Sequence, residues 1–124
     1  MDPTELAGTP LISREPGSGT RDTAERAVRA AGAVLVPPLL ELGSSTAIRS
    51  TVLAGGGPAL LSELVVAQDV ASRALVEIPT AGLDFGRTLR AVWRTGTRPV
   101  GAAAALIGFA LRNRGAGIQR WAPE

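Results

Sequence analysis

The residues best suited to chemistry lie in a glycine-rich loop, residues 15–21, between a predicted strand and a predicted helix. Small residues there leave backbone N–H groups unhindered, and the helix N-terminus adds partial positive charge, so an anionic or carbonyl group of a ligand can dock on the loop. A tight turn at Gly17 and Gly19 with a helix cap at Thr20 explains the same residues without a ligand. The chain contains no Lys, which excludes a Walker phosphate loop.

A second loop of the same kind follows the next predicted strand. Residues 43–46 read Gly-Ser-Ser-Thr and precede another predicted helix. If the two strands are parallel neighbours, both loops face the edge of the sheet where open α/β sheets bind ligands. This arrangement favours a binding site, although each serine taken alone is explained as well by a simple helix cap.

The chain lacks the groups that most catalytic sites need. It has no Cys and no His, which removes thiol nucleophiles, zinc sites built on those residues and histidine general bases. Ser18 has no histidine or lysine to activate it, and no spacing brings Asp22, Glu41 and Asp69 into a shared cleft. We therefore expect no enzyme activity, no cofactor and no metal.

Charges around the first loop limit what it can bind. Asp22 and Glu25 lie in the first turns of the predicted helix, where they neutralise its dipole and oppose a nearby anion. A ligand there would contact the loop through a neutral group, or it would need charge support from Arg14 or Arg21.

Composition indicates a folded chain with little affinity for nucleic acid. Hydrophobic residues make up 45% of the 124 residues and charged residues 19%, which is typical of a globular α/β chain. The pI near 10.9 arises because all the basic residues are Arg, while the net charge is only +2. Only residues 87–98 hold a mild cluster of Arg, so we do not expect this stretch to bind DNA. Since no long apolar run or signal-peptide pattern is present, we expect a cytoplasmic chain without membrane contact.

Alternating strands and helices must position the two loops. Helical spacing predicts a helix after each loop, ending at Gly32 and Gly55, a third helix capped by Ser62, and a last one over residues 99–111. Apolar runs predict strands at residues 10–12, 39–42, 58–61, 75–78 and 88–94. This order predicts an α/β sandwich of mostly parallel strands. Trp93 is expected in the core, and residues 113–124, with Trp121, are expected to form a flexible tail.

The last predicted helix does not suit a self-contained domain. Its apolar residues surround almost the whole helix: Val100, Ala103, Ala104, Leu106, Ile107, Phe109, Ala110 and Leu111. A helix that is apolar on nearly all sides needs partners on more than one face. The rest of the chain offers few elements to supply them.

Read in order, residues 5–21 resemble LysR-type transcriptional regulators at the crossover into the second effector-binding subdomain. Further similar segments follow in the same order, at residues 41–44, 47–48, 59–62, 75–79, 87–94 and 99–111. The resemblance covers roughly residues 3–112. Pro58 departs from the pattern, because the family usually has a β-branched residue there, and it suggests an edge position or a bulge.

The resemblance implies a fold and a division into domains. Members of the family carry an N-terminal winged helix-turn-helix and a two-subdomain effector module that is similar to type 2 periplasmic solute-binding proteins. The implied fold is an α/β three-layer sandwich of mostly parallel strands that forms one incomplete periplasmic-binding-protein-like lobe. Residues 1–9 would be a hinge, residues 10–87 the second effector-binding subdomain, residues 88–112 a return strand and helix of the first subdomain, and residues 113–124 the tail.

The resemblance also implies a function. The chain would be a ligand-sensing regulatory fragment of a LysR-type transcription factor that lacks the helix-turn-helix, reaches DNA only through that missing domain, and self-associates as a homodimer. Its effector would be a small anionic or polar metabolite bound by Pro16, Gly17, Ser18, Gly19, Thr20, Gly43 and Ser44. Two alternatives stay open, a truncated interaction or oligomerisation module and a lobe of a solute-binding protein for transport.

Overall fold

A computed structural model describes residues 1–87 and 90–112 of the chain. The chain divides into two compact units, Met1–Arg87 and Thr88–Glu124. The elements in chain order are α1 (Pro3–Gly8), β1 (Ile12–Arg14), α2 (Gly19–Ala30), β2 (Leu40–Leu42), α3 (Ser45–Leu53), α4 (Glu63–Ala71) and α5 (Gly101–Arg112). The predicted flexible tail at residues 113–124, Trp121 included, lies outside the described residues, as do residues 88 and 89.

Strands β1 and β2 pair in parallel, as the order of strand, helix and strand predicts. Ile12 lies opposite Leu40 in this pair. On its other side Ile12 forms a parallel bridge with Ala59, and its N–H donates to the carbonyl of Pro58 at 2.8 Å. The described part of the chain therefore has a mixed α/β architecture with one two-stranded parallel sheet extended by a bridge.

Three of the predicted strands are not seen among residues 1–87 and 90–112. Residues 58–61 contribute only the bridge at Ala59. Residues 75–78 alternate like a strand but pair with no strand in the described part of the chain, so they are irregular, and Val76 is 84% exposed. Residues 90–94 are also irregular, and the prediction that Trp93 lies in the core is wrong, since its side chain is 55% exposed.

Helix α1 was not among the predicted elements, although its start carries a recognisable signal. Asp2 accepts hydrogen bonds from the N–H groups of Thr4 and Glu5, and Glu5 accepts one from the N–H of Asp2. This reciprocal capping box, with Pro3 at the first helical position, fixes the helix start. The helix buries Leu6 and Ala7, which form a core cluster with Val28 of α2. Residues 1–9, predicted as a hinge, thus contribute to the packing of the first unit.

Helix α2 confirms the predicted periodicity. Its buried positions are Thr23, Ala24, Ala27 and Val28, which lie three and four residues apart. The helix ends before Gly32, whose φ of +81° is the left-handed conformation that glycine adopts readily. The predicted stop is therefore confirmed.

An ion pair joins the next two helices. Two nitrogens of the Arg49 guanidinium in α3, Nε and Nη2, donate to the Asp69 carboxylate in α4. Asp69 is only 7% exposed, and this bidentate pairing explains how a carboxylate is accommodated there. Helix α4, the third of the predicted helices, begins after Ser62 as predicted, but the Ser62 side chain makes no capping hydrogen bond.

The second unit contains helix α5, which begins at Gly101 rather than at the predicted residue 99. No residue of this helix is buried, and Leu106 is 68% exposed. Its apolar side chains are therefore largely uncovered in this chain, as the sequence pattern predicts.

Candidate functional site

The two predicted loops lie at the same edge of the sheet. Because β1 and β2 are parallel, the segments that follow Arg14 and Leu42 leave the sheet at the same end, and each leads into the N-terminus of a helix. A direct hydrogen bond ties the junctions together, since Nη1 of Arg14 donates to Oγ of Ser45 at 3.1 Å. The predicted juxtaposition of the loops is confirmed.

The first loop is organised by Ser18. This residue, 6% exposed, is the N-cap of α2, and its Oγ accepts a 3.5 Å hydrogen bond from the N–H of Arg21. The cap is thus Ser18 rather than Thr20, which is the second residue of the helix. Since Gly19 and Thr20 are the first two helical residues, their N–H groups have no acceptor within the helix. Thr20 and Gly19 can offer hydrogen bonds to a ligand, whereas the hydroxyl of Ser18 is buried and already used.

The second loop repeats this arrangement at the start of α3. The Oγ of Ser44 accepts a hydrogen bond from the N–H of Ala47 at 3.0 Å, so Ser44 caps the helix. Gly43 is exposed, and an added Cβ would meet no atom within 4 Å. The predicted contact residues of this loop therefore lie on an open surface.

Charged side chains near the ends of the two strands form ion pairs. Arg14 binds both carboxylate oxygens of Glu15, through Nε at 2.7 Å and Nη2 at 2.8 Å. This hydrogen bonding lowers the pKa of Glu15 and raises the pKa of Arg14. Two of the three guanidinium nitrogens of Arg14, one of the arginines expected to support an anionic ligand, are therefore already bonded to Glu15.

Arg21 is held by two carboxylates from different elements. Its Nε donates to Glu25 at 2.8 Å, and its Nη1 donates to Glu41 of β2 at 2.6 Å and to the carbonyl of Arg14 at 3.2 Å. The hydrogen bond that Arg21 donates to Glu25, and then the one it donates to Glu41, raise the pKa of Arg21, so this side chain stays protonated at neutral pH. The network connects α2 to both strands.

A cleft of about 210 Å³ lies beside this network in the first unit. Its walls are formed by β1 with the residues before it, by one face of α2, by the segment that precedes β2 and by Leu60; the lining residues are Thr9, Leu11, Ile12, Ser13, Arg14, Thr20, Arg21, Ala24, Glu25, Leu35, Val36, Pro37, Pro38 and Leu60. The lining of the cleft thus combines apolar side chains with hydroxyl and charged groups, as is usual for a small-molecule site.

Only one of the predicted contact residues, Thr20, lines this cleft. The other six, Pro16, Gly17, Ser18, Gly19, Gly43 and Ser44, lie on the two loops at the edge of the sheet but not in the lining of the cleft. Sequence reasoning missed Ser13 and the wall at Leu35–Pro38 because these residues become neighbours only when the chain folds back on β1. The one available signal was the pair Pro37 and Pro38, which interrupts an apolar run and prevents a longer strand.

Two further ion pairs involve the carboxylates of Glu41 and Asp69. Glu41 accepts a hydrogen bond from Arg21, and Asp69 accepts hydrogen bonds from Arg49, so these two carboxylates lie in different ion pairs. Among the described residues, no three His, Cys, Asp or Glu side chains come close enough to bind a metal ion. Nor does any helix in the described ranges have the length and apolar character needed to span a bilayer.

Comparison with known proteins relates the chain to bacterial regulators. The sequence model of the family described as LysR substrate binding domain matches residues 1–115. An uncharacterized HTH-type transcriptional regulator of Mycobacterium tuberculosis is 45% identical over 107 residues, which are 83% of this chain and 34% of that protein. The HTH-type transcriptional regulator CbbR of Xanthobacter flavus is 40% identical over 109 residues, 88% of this chain and 33% of that protein.

A third relative, the RuBisCO operon transcriptional regulator of Acidithiobacillus ferrooxidans, is 35% identical over 98 residues, 79% of this chain and 31% of that protein. The chain therefore spans about a third of the length of the curated relatives that it matches.

Proposed function

The chain belongs to the LysR substrate-binding domain family, and from this membership we propose that it is the effector-sensing part of a DNA-binding transcriptional regulator. In this proposal the longer regulator binds DNA through a helix-turn-helix, as the names of the relatives indicate for them. The regulator acts in the cytoplasm as a homodimer, and it is not an enzyme.

The proposed fold is one lobe of a type 2 periplasmic-binding-protein-like module, built as a three-layer α/β sandwich. Residues 10–87 form the second effector-binding subdomain, residues 1–9 the hinge, and residues 88–112 a return segment of the first subdomain. The boundary between the compact units, at Arg87 and Thr88, supports the proposed division at that point.

One observation carries the proposal for the site, namely that both loops follow parallel strands and are tied together by the hydrogen bond from Arg14 to Ser45. Two helix N-termini therefore point to the same edge, where they can bind the polar groups of a small effector. We place the effector against residues 16–20 and against Gly43 and Ser44, with Thr20 shared between the loop edge and the cleft.

Effector binding would regulate by closing the two lobes around the ligand. A ligand that binds the closed arrangement more tightly shifts the population toward it, and the change in lobe orientation alters the arrangement of the dimer on DNA. The exposed residues of the two loops would act by binding and orienting the ligand, and Ser18 would hold the first loop in place by capping α2, without any bond being made or broken.

The test is a titration of the 124-residue chain with pools of small polar metabolites, in which the NMR chemical shifts of the backbone amides are measured. We expect an active pool to shift the amides of Gly19, Thr20 and Ser44 first. Thr20→Val should weaken the response, whereas Thr4→Val, at the equivalent second position of α1, should leave it unchanged. Shifts confined to α4, or a specific interaction of this chain with duplex DNA, would contradict the proposal.

A further inference from the structure

The cleft beside Thr20 is lined by two hydroxyl groups that have no partner in the described part of the chain. Ser13 and Thr20 both line it, and both side chains are half-buried. Neither hydroxyl makes a hydrogen bond with any residue in the described ranges. Because a hydroxyl can donate one hydrogen bond and accept others, these two groups suit a ligand that offers a donor and an acceptor alike.

The charged residues of the lining already have partners. Arg14, Arg21 and Glu25 are the charged residues that line the cleft. All three guanidinium nitrogens of Arg14 donate hydrogen bonds, two of them to Glu15. Arg21 donates through Nε to Glu25 and through Nη1 to Glu41. A charged ligand would therefore have to compete with existing ion pairs.

The charges in the lining and next to it also cancel. Arg14 and Arg21 are two cations of the lining, and Arg87 adds a third, since its Nη1 lies 3.7 Å from where a Cβ on Gly19 would be. Three carboxylates balance them in number, those of Glu15, Glu25 and Glu41. Neither sign of ligand charge is favoured by this arrangement, whereas any ion must give up hydration to enter the cleft.

The wall opposite α2 contacts a ligand mainly through apolar groups. The N–H of Val36 is used by the carbonyl of Ala7, and that of Leu39 by the carbonyl of Leu11, both at 2.9 Å. Between them, Pro37 and Pro38 have no N–H to donate. Leu35 and Leu60 complete the apolar part of the lining.

We infer that the cleft binds an uncharged small molecule that carries a hydroxyl group on a compact apolar body. The ligand hydroxyl would exchange hydrogen bonds with Ser13 and Thr20, and the apolar body would contact Leu35 and Leu60. This inference rests on the proposed function, because the cleft shares Thr20 with the proposed effector site and its ligand would be the effector. The cleft volume of about 210 Å³ lies below the range of about 300 to 1,000 Å³ that is usual for drug-sized ligands, so the ligand must be small.

The test uses three probes with the same branched carbon skeleton: 3-methylbutanol, 3-methylbutylammonium and 3-methylbutanoate. Each is titrated at neutral pH into the 124-residue chain while the amide shifts of Ser13, Thr20 and Leu35 are measured. We expect the alcohol to bind at least about fivefold more tightly than either ion, because only the ions lose strong hydration without a net opposite charge to replace it. Tighter binding of the ammonium or of the carboxylate would overturn the inference.

Ser13→Ala tests the hydroxyl contact. It should weaken the binding of 3-methylbutanol about fivefold, which is the effect of one neutral hydrogen bond. Ser50→Ala removes an exposed hydroxyl of α3 that lies outside the lining of the cleft, and it should leave the affinity unchanged. The amide spectrum of each variant verifies that it folds, and a folded Ser13→Ala chain with native affinity for the alcohol would contradict the inference.

Glu25→Gln tests the balance of charge. The amide keeps an oxygen that can accept from Arg21 but leaves one positive charge in excess, so the affinity for 3-methylbutanoate should rise by at least about threefold relative to that for the alcohol. Glu77→Gln removes the same charge at an exposed position outside the cleft and should leave this ratio unchanged. An unchanged ratio in Glu25→Gln would count against the balanced charges as the source of the preference.

The outcomes distinguish this inference from the proposed function. If 3-methylbutanol shifted neither Ser13 nor Leu35, the inferred ligand class for the cleft would be wrong. The proposed effector-sensing role would survive that result, because it is tested separately by the metabolite pools and the amides of Gly19 and Ser44 in the two loops.

Discussion

Ser18 and Thr20 have different roles although both lie in the same loop. Ser18 is buried and caps α2, so its hydroxyl stabilises the fold. Thr20 is half-buried at the mouth of the cleft, and its N–H has no partner in the helix. At the scale of single residues, Ser18 therefore stabilises the loop, whereas Thr20 can contact a ligand.

Gly17→Ala should destabilise the chain by about 1 to 2 kcal/mol, because the backbone at Gly17 has a φ of +83° that a Cβ disfavours. Space is not the reason, since no atom lies within 4 Å of the added Cβ. Gly43→Ala is the matched control, because Gly43 is equally open but has no positive φ, and it should change the free energy of unfolding by less than about 0.5 kcal/mol. Urea unfolding measures both, and equal effects would contradict the explanation.

Asp69→Asn should remove a pH-dependent contribution to stability. Hydrogen bonds from Arg49 lower the pKa of Asp69 in the folded chain, relative to about 3.9 in the unfolded chain. The carboxylate therefore stabilises the fold fully above that value, and the contribution is lost as the pH falls through the lower, folded pKa.

The difference in free energy of unfolding between the native chain and Asp69→Asn should accordingly be largest near neutral pH and shrink under acid conditions. Denaturant titrations over this pH range measure it. Glu77→Gln, an exposed change without an ion pair, provides the reference, and a difference that stays constant with pH would rule out the role assigned to Arg49 and Asp69.

At the scale of elements, local signals in the sequence were sufficient for most helices. The apolar spacing of α2 and the stop at Gly32 predicted the helix because helix formation depends on neighbours three and four residues away. The strands after β2 were mispredicted because a strand needs a partner, and alternation at residues 75–78 says nothing about whether one is present. The loops of the site were predictable because they depend on residues close in sequence. The cleft wall at Leu35–Pro38 was not, because it depends on contacts with distant residues.

The three serine N-caps give a comparison between elements. Ser44→Ala should destabilise the chain by about 1 kcal/mol, because it removes the hydrogen bond from the N–H of Ala47. Ser62→Ala should have a much smaller effect, since Ser62 has the same position before α4 but makes no capping hydrogen bond. Thermal and urea unfolding of the two variants test this, and a cost for Ser62→Ala as large as that for Ser44→Ala would contradict it.

At the scale of the whole molecule, the exposed apolar surface of α5 favours association between copies. Leu106 and Val100, which directly precedes the helix, are mostly exposed, and burying them against a second chain would be favourable. We expect light scattering to give a mass above 12.7 kDa that rises with concentration.

Leu106→Glu should lower that mass toward the monomer, because a charge cannot be buried in an apolar contact. Val76→Glu changes an equally exposed apolar residue outside α5 and should leave the mass unchanged. A monodisperse monomer at high concentration would contradict the expected self-association.

The position of Ile12, between β2 on one side and Pro58 and Ala59 on the other, has a consequence for how the chain opens. The Ile12 amide donates to Pro58 and the residue is fully buried, so its proton can exchange with deuterium only when three segments that are distant in the sequence separate together. We expect this amide to be among the slowest to exchange, with a rate set by global unfolding. A cut in the chain near residue 57 would let the segment that carries Pro58 separate from β1 more readily, so the Ile12 amide should then exchange faster than global unfolding allows, while both loops stay intact.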